Sequence, residues 1–236
     1  YVHLYLNGKY WGLYNPCERP DHNFLANHLG GESENYFYAK GRKSKASDDR
    51  DGEPGQSKSR FYEANSKDYS KMPFDEMRNW VMVDKSIASV LVYGYANPGD
   101  GHQYYYGNSN DPPGPVVWIP WDVEDSFGGG GRRSGPPSIK SMIKNKEKNG
   151  FMAFWTNIDF RMRFNDLVYK HFFYDGVMTD NNAIKAWDWL TGYIYKAIIC
   201  ESARWGDERS ADPMDRDDEW NAARLAVRND LKGRAG

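Results

Sequence analysis

Val2, Leu4 and Leu6 alternate with Tyr1, His3 and Tyr5, and after Asn7-Gly8 a strand pattern resumes over residues 10–14. A period of two marks a half-buried strand, and Asn-Gly supplies the positive φ that both central residues of a type I′ turn require, so a β-hairpin is expected. Gly12 inside the second strand points to a bulge or to close approach by another group. Residues 23–29 then carry Phe24, Leu25 and Leu29 on one helical stripe, with Gly30-Gly31 as the stop. Residues 35–40, NYFYAK, return to a strand. Residues 41–71 are charged and polar, with hardly an apolar position before Phe61, and read as a solvated surface insertion. Pro73 opens a helical stretch through Trp80 and Met82, and Asp84 stands where it would cap a helix over 85–95 that buries Ile87, Val90, Leu91 and Tyr95.

Residues 99–131 form the centre of the chain. The aromatic run Tyr104-Tyr105-Tyr106 suits a strand, residues 108–114 are rich in turn formers, and Val116-Val117-Trp118-Ile119 suits a second strand ending at Pro120. The result is a hairpin with a long loop. Asp100 precedes its first strand, while Asp122, Glu124 and Asp125 follow its second, so antiparallel pairing brings both acidic ends to one edge. Carboxylates crowded in this way repel, and a hard divalent cation relieves the repulsion. Asp122, Glu124 and the amide of Gln103 offer oxygen ligands, which suit Mg2+ or Mn2+ better than zinc, and Mg2+ is commonly completed by substrate phosphates. The plainer alternative is that these acids solvate a loop and cap a turn.

Beyond the hairpin, Gly128–Gly131 with Arg132, Arg133 and Ser134 lacks the GK[ST] of a phosphate-cradling loop and reads as a flexible loop. The remainder is helical. Residues 151–174 place Phe154, Trp155, Ile158, Met162 and Leu167 at helical spacing; Thr179 caps a helix with Ile184, Trp187, Leu190, Ile194 and Ile198; Trp220, Leu225, Val227 and Leu231 mark a last one. Glu201 and Arg204 are expected to pair within a helix turn, with Trp205 as a packing post.

Composition narrows the function classes. The chain has 236 residues, 16% of them aromatic, enough for one large domain or two small lobes with a core built from large rings. With a net charge of −2 and a pI near 6.2 there is no basic field to recommend nucleic acid as a partner. Cys17 and Cys200 allow one disulfide and require none, and five scattered histidines form no zinc-ligand pair. The longest mainly apolar run, Ile87–Ala96, is far short of the roughly 20 residues that span a membrane. The chain opens at Tyr1 inside a strand with no initiator Met, and is expected to be a piece of something longer.

The order of four motifs, YLNGKYWGLYNPCERPDHNFL, NYFYAKG, WIPWDVEDSFG and ESARWGD, resembles the spore-coat-protein-H (CotH) kinase-like family of atypical, secreted or surface-associated kinases. The resemblance covers residue 2 to about residue 234. It implies an α+β, protein-kinase-like fold over residues 1–236: a small antiparallel, β-rich N-terminal part with a charged insertion over 1–72, expected to be truncated, and a larger, mainly helical lobe with the central hairpin over 73–236. It further implies transfer of the ATP γ-phosphate, with Mg2+ or Mn2+, to Ser or Thr hydroxyls of a secreted or coat-associated protein.

Residue by residue, Asp100 resembles the catalytic-loop Asp that orients the hydroxyl. Asp122 resembles the metal-binding Asp, and Glu124 a second acid beside it. Gln103 stands roughly where the family more often has Asn, as a further metal ligand. Lys40 resembles the phosphate-facing lysine, with Glu18 as its partner. A pseudokinase, a surface adhesion module and a carboxylate-pair glycoside hydrolase are the competing classes. Only the first would bind nucleotide without transferring phosphate, and a glycosidase would need neither ATP nor metal.

Overall fold

The computed structural model describes residues 1–42, 45–49, 56–98, 103–109, 112–124, 126–127, 153–208 and 210–235. It is a mixed α+β structure with eight α-helices and two small antiparallel sheets among the described residues. Two compact units divide it, residues 19–174 and residues 1–18 with 175–236.

The larger unit is built on a four-stranded sheet of β3 (Tyr36–Arg42), β4 (Lys45–Asp49), β5 (Gln103–Ser109) and β6 (Val117–Trp121), in the order β4-β3-β5-β6. The expected central hairpin is β5–β6, with Tyr106 opposite Trp118 and Gln103 opposite Trp121. β6 runs through Pro120 instead of stopping there, because a sheet-edge strand tolerates the missing N–H. Successive rows face opposite ways. Tyr38, Gly107 and Val117 share one row, and Leu25 of α1 (His22–Leu29) packs with Tyr38 and Val117. A β-carbon on Gly107 would press on the Leu25 side chain and lie 2.7 Å from the Phe37 carbonyl oxygen, so glycine suits the close packing there. The next row is Ala39, Tyr106 and Trp118, and Phe61 of α2 (Gln56–Ser66) stacks on Tyr106 at 4.3 Å.

Residues 41–71 are therefore not a solvated insertion throughout. β4 and α2 lie within them, and Phe61, Ala64 and Tyr69 are fully buried. Phe61 and Ala64 dock the otherwise polar α2, and Tyr69 is buried just beyond its end. Residues 73–82 form only the short α3 (Phe74–Met77), since Trp80 and Met82 use their backbone groups to bridge Val116. α4 (Val83–Ala96) starts after Met82, so Asp84 is no cap. It lies in the first turn and holds Arg163 of α5 (Ile158–Phe172) through two hydrogen bonds of 2.7 and 2.6 Å. Residues 153–157 do not join α5. A 3-10 turn buries Phe154, and Asn157 caps α5 by accepting the Phe160 N–H at 3.0 Å. Ile158 and Met162, expected in the core, are more than half exposed; Leu167 is buried as expected, and Phe160 and Phe164 join it there.

In the other unit, β1 (Val2–Leu6) and β2 (Lys9–Tyr14) form the expected hairpin, with positive φ at Asn7 and Gly8. It is accompanied by α6 (Asp180–Ile194), α7 (Ile198–Trp205) and α8 (Asn221–Asp230). Both readings of Gly12 hold: the register slips between Leu4 and Tyr5, and a β-carbon on Gly12 would come within 3.0 Å of Glu201 Oε2. Glu201 and Arg204 do not pair with each other. Glu201 Oε2 accepts the Leu13 N–H at 2.6 Å, and Arg204 Nε donates to the Tyr10 carbonyl at 3.2 Å, so each clasps the hairpin. Cys17 and Cys200 are free and exposed. No helix is long and apolar enough to cross a membrane among the described residues.

Candidate functional site

The site is approached along two strands. In β3, Lys40 is half-buried and lies two residues beyond Tyr38, on the same face of the sheet. Its register partner in β5 is Tyr105, which pairs in turn with Ile119 of β6. One step further along, Gln103 pairs with Trp121, and Asp122 is the next residue of the chain. The antiparallel register therefore sets the start of β5 beside the end of β6, as the hairpin pattern required.

Asp122 is half-buried and left-handed, with φ at +60°. Among residues other than glycine, Asp and Asn tolerate this region best, because a short polar side chain can bond locally. Glu124 follows two residues later and is exposed. Ser126 is buried, with its hydroxyl donating to the Val123 carbonyl. Phe127 is again left-handed, with φ at +56°, and donates its N–H to the Ala96 carbonyl at 3.4 Å. Residues 122–127 thus leave the sheet through one left-handed residue and end at another.

α4 runs along the outer side of this strand. Ser89 Oγ donates to the Trp118 carbonyl, and one turn later the Tyr93 hydroxyl bonds the backbone of Trp121. The hydrophobic stripe of α4 gave no reason to single out Tyr93 or Ser89. Two hydroxyl side chains four residues apart, facing one strand, were the available signal.

Asp100 lies outside the described residues, as do Asp125 and the Gly128–Arg133 loop. For Gln103 the strand position is described, and it is the position adjacent to Asp122 across the hairpin. Glu18 is exposed and belongs to residues 1–18, whereas Lys40 belongs to residues 19–174. Among the described residues no three His, Cys, Asp or Glu side chains converge. Mg2+ asks for only one or two protein carboxylates when phosphates complete its shell, so Asp122 and Glu124 fit it in donor type and number.

A family model described as CotH kinase protein matches residues 1–224 of the 236. The chain belongs to the CotH kinase family. No curated protein matches it. The family's description suggests kinase-like chemistry.

Proposed function

We propose that this CotH kinase transfers the γ-phosphoryl group of ATP to Ser or Thr hydroxyls of a secreted or surface-associated protein. In that reaction the bond from the γ-phosphorus to the β-phosphate oxygen breaks, and a bond to the acceptor oxygen forms. The acceptor's proton leaves toward Asp100, which orients the hydroxyl. Asp122 and Glu124, with Gln103 across the hairpin, would hold a divalent cation. When bound, such a cation neutralises charge on the β- and γ-phosphates. Lys40 supplies a positive charge on the phosphate side. The proposed lobes divide at residue 72.

What supports this reading is the family match over residues 1–224 together with one observation, the β5–β6 register that puts Gln103 opposite Trp121 with Asp122 immediately after it. A metal site assembled at a strand end needs its acid at a fixed backbone position, and Asp122 occupies one.

The test is a thermal-shift titration with ATP, with and without Mg2+ or Mn2+, on the wild type and on Asp122→Ala. A ligand that binds only the native state raises the midpoint as its concentration rises. A metal-dependent rise is expected in the wild type and should vanish in Asp122→Ala, after which Asp100→Ala should abolish phosphate transfer while keeping the rise. A folded wild type with no rise at saturating ATP and metal would overturn the reading.

A further inference from the structure

Among the described residues β6 is an edge strand, so one row of its backbone groups faces no neighbouring strand there. Covered backbone groups need partners, and at Trp121 a single side chain supplies both. The Tyr93 hydroxyl donates to the Trp121 carbonyl at 2.6 Å and accepts the Trp121 N–H at 2.9 Å. Tyr93 itself is buried, with 4% of its surface exposed. A phenolic hydroxyl can donate and accept at once, whereas Phe of the same shape can do neither.

The residue pinned in this way directly precedes Asp122, whose left-handed backbone is held against a steric penalty. The same helix turn grips the other end of the segment. Ala96 accepts the Phe127 N–H, and the Tyr95 ring meets Phe127 edge-on at 6.2 Å between centroids. Residues 122–127 are therefore tied at both ends to the last turn of α4. Strain of this kind persists only where surrounding contacts over-determine it.

We propose that Tyr93 is the positioning residue of Asp122: by bonding both backbone groups of Trp121 it fixes the chain rotation that sets where the Asp122 carboxylate stands. Its effect on metal binding rests on the phosphoryl-transfer reading above; its effect on the Asp122 backbone does not. Ser89 supplies an internal control. It also bonds the edge strand from α4, but at Trp118, four residues before Asp122 instead of one. Loss of Ser89 should loosen the strand and leave Asp122 in place.

The experiment compares the wild type, Tyr93→Phe and Ser89→Ala, each as the full chain, by two readouts: backbone NMR couplings at Asp122, and Mn2+ affinity in the presence of ATP measured by electron paramagnetic resonance. In Tyr93→Phe the Asp122 couplings should leave the left-handed range and Mn2+ binding should weaken by about tenfold or more, the size seen when an outer-shell partner of a metal ligand is lost. Ser89→Ala should change neither. Tyr93→Phe with Asp122 still left-handed would overturn the proposal, and so would an equal loss in Ser89→Ala.

Should Tyr93→Phe fail to fold, hydrogen exchange at the Trp121 amide of the wild type decides. Slow exchange there is expected, and exchange at the rate of an open strand edge would remove the clamp. A wild type that binds no Mn2+ with ATP, while Tyr93→Phe still displaces Asp122, would sink the phosphoryl-transfer reading and leave the positioning role standing.

Discussion

Residues 19–174 are held together by buried rings, and residues 1–18 with 175–236 largely by directional clasps. In the first unit Phe61 stacks on Tyr106 at 4.3 Å, Trp118 meets Phe154 at 5.7 Å, and Phe154 meets Tyr69 at 4.7 Å. In the second, Glu201 takes the Leu13 N–H at 2.6 Å, Trp205 Nε1 donates to the Trp11 carbonyl at 2.6 Å, and the Arg204 guanidinium lies 3.9 Å over the Trp205 ring. Ring burial removes large apolar areas from water and does not depend on direction. A hydrogen bond exchanges one partner for another and nets only about 0.5–1.5 kcal/mol. The two units should therefore answer mutation differently, one globally and the other locally.

The largest effect is expected at Phe154. It is fully buried among Tyr69, Trp118 and Phe160, and truncation leaves a cavity that rigid neighbouring rings cannot fill. Phe154→Ala should destabilise the unit of residues 19–174 by about 3–5 kcal/mol, read from urea unfolding. A loss below about 1.5 kcal/mol would mean that the rings are not what holds this unit.

Glu201→Ala should have a smaller and more local effect. A charged acceptor for the Leu13 N–H disappears from a partly exposed site, so the hairpin should loosen by about 1–2 kcal/mol. The Leu13 amide should then exchange roughly tenfold faster, while core amides of residues 19–174 keep their rates. Tyr10 offers a second readout. Burial first, then the Glu201 charge, holds its hydroxyl above the usual tyrosine range, so the variant should titrate lower than the wild type. Equal acceleration throughout the chain would erase the distinction between the units.

How much could be read in advance follows the same divide. The β1–β2 and β5–β6 hairpins were legible because Asn7-Gly8 and the turn-rich residues 108–114 are local signals, and a period of two needs no tertiary knowledge. The packing of residues 56–72 was not. Phe61, Ala64 and Tyr69 lie in a segment whose charge dominates any average, and rings distant in the chain, Tyr106 against Phe61 and Phe154 against Tyr69, account for the burial of the two aromatic residues. Glu201 and Arg204 suggested a local pair because helical spacing is visible, whereas their real partners, Leu13 and Tyr10, are nearly two hundred positions away. At the candidate site, Asp122 is proposed from its motif alone. The left-handed turn that carries it, and the Tyr93 hydroxyl beside it, depend on how α4 lies along β6.

The smallest effect belongs to an ion pair inside the ring-held unit, and it sharpens the comparison because it puts a directional contact in the region ruled by burial. Arg163 bonds Asp84 through Nε and Nη2, at 2.7 and 2.6 Å, with 36% of the Arg163 side chain and 51% of the Asp84 side chain exposed. The hydrogen bond from Arg163, and secondarily its charge, hold the Asp84 carboxyl below the ordinary carboxylate range. A lowered folded-state value means that the contribution is present above the unfolded Asp pKa of about 3.9 and is lost as pH falls through the folded value. Solvent screens a pair this exposed, so Asp84→Asn should cost only about 0–1 kcal/mol at neutral pH, and less in high salt. Urea unfolding of both proteins at pH 7 and again at about pH 2 should show that small difference shrink toward zero in acid. A difference that persists unchanged in acid would trace to lost packing instead of charge. One well above 1 kcal/mol at pH 7 would show that the ring-held unit also depends on a clasp between α4 and α5.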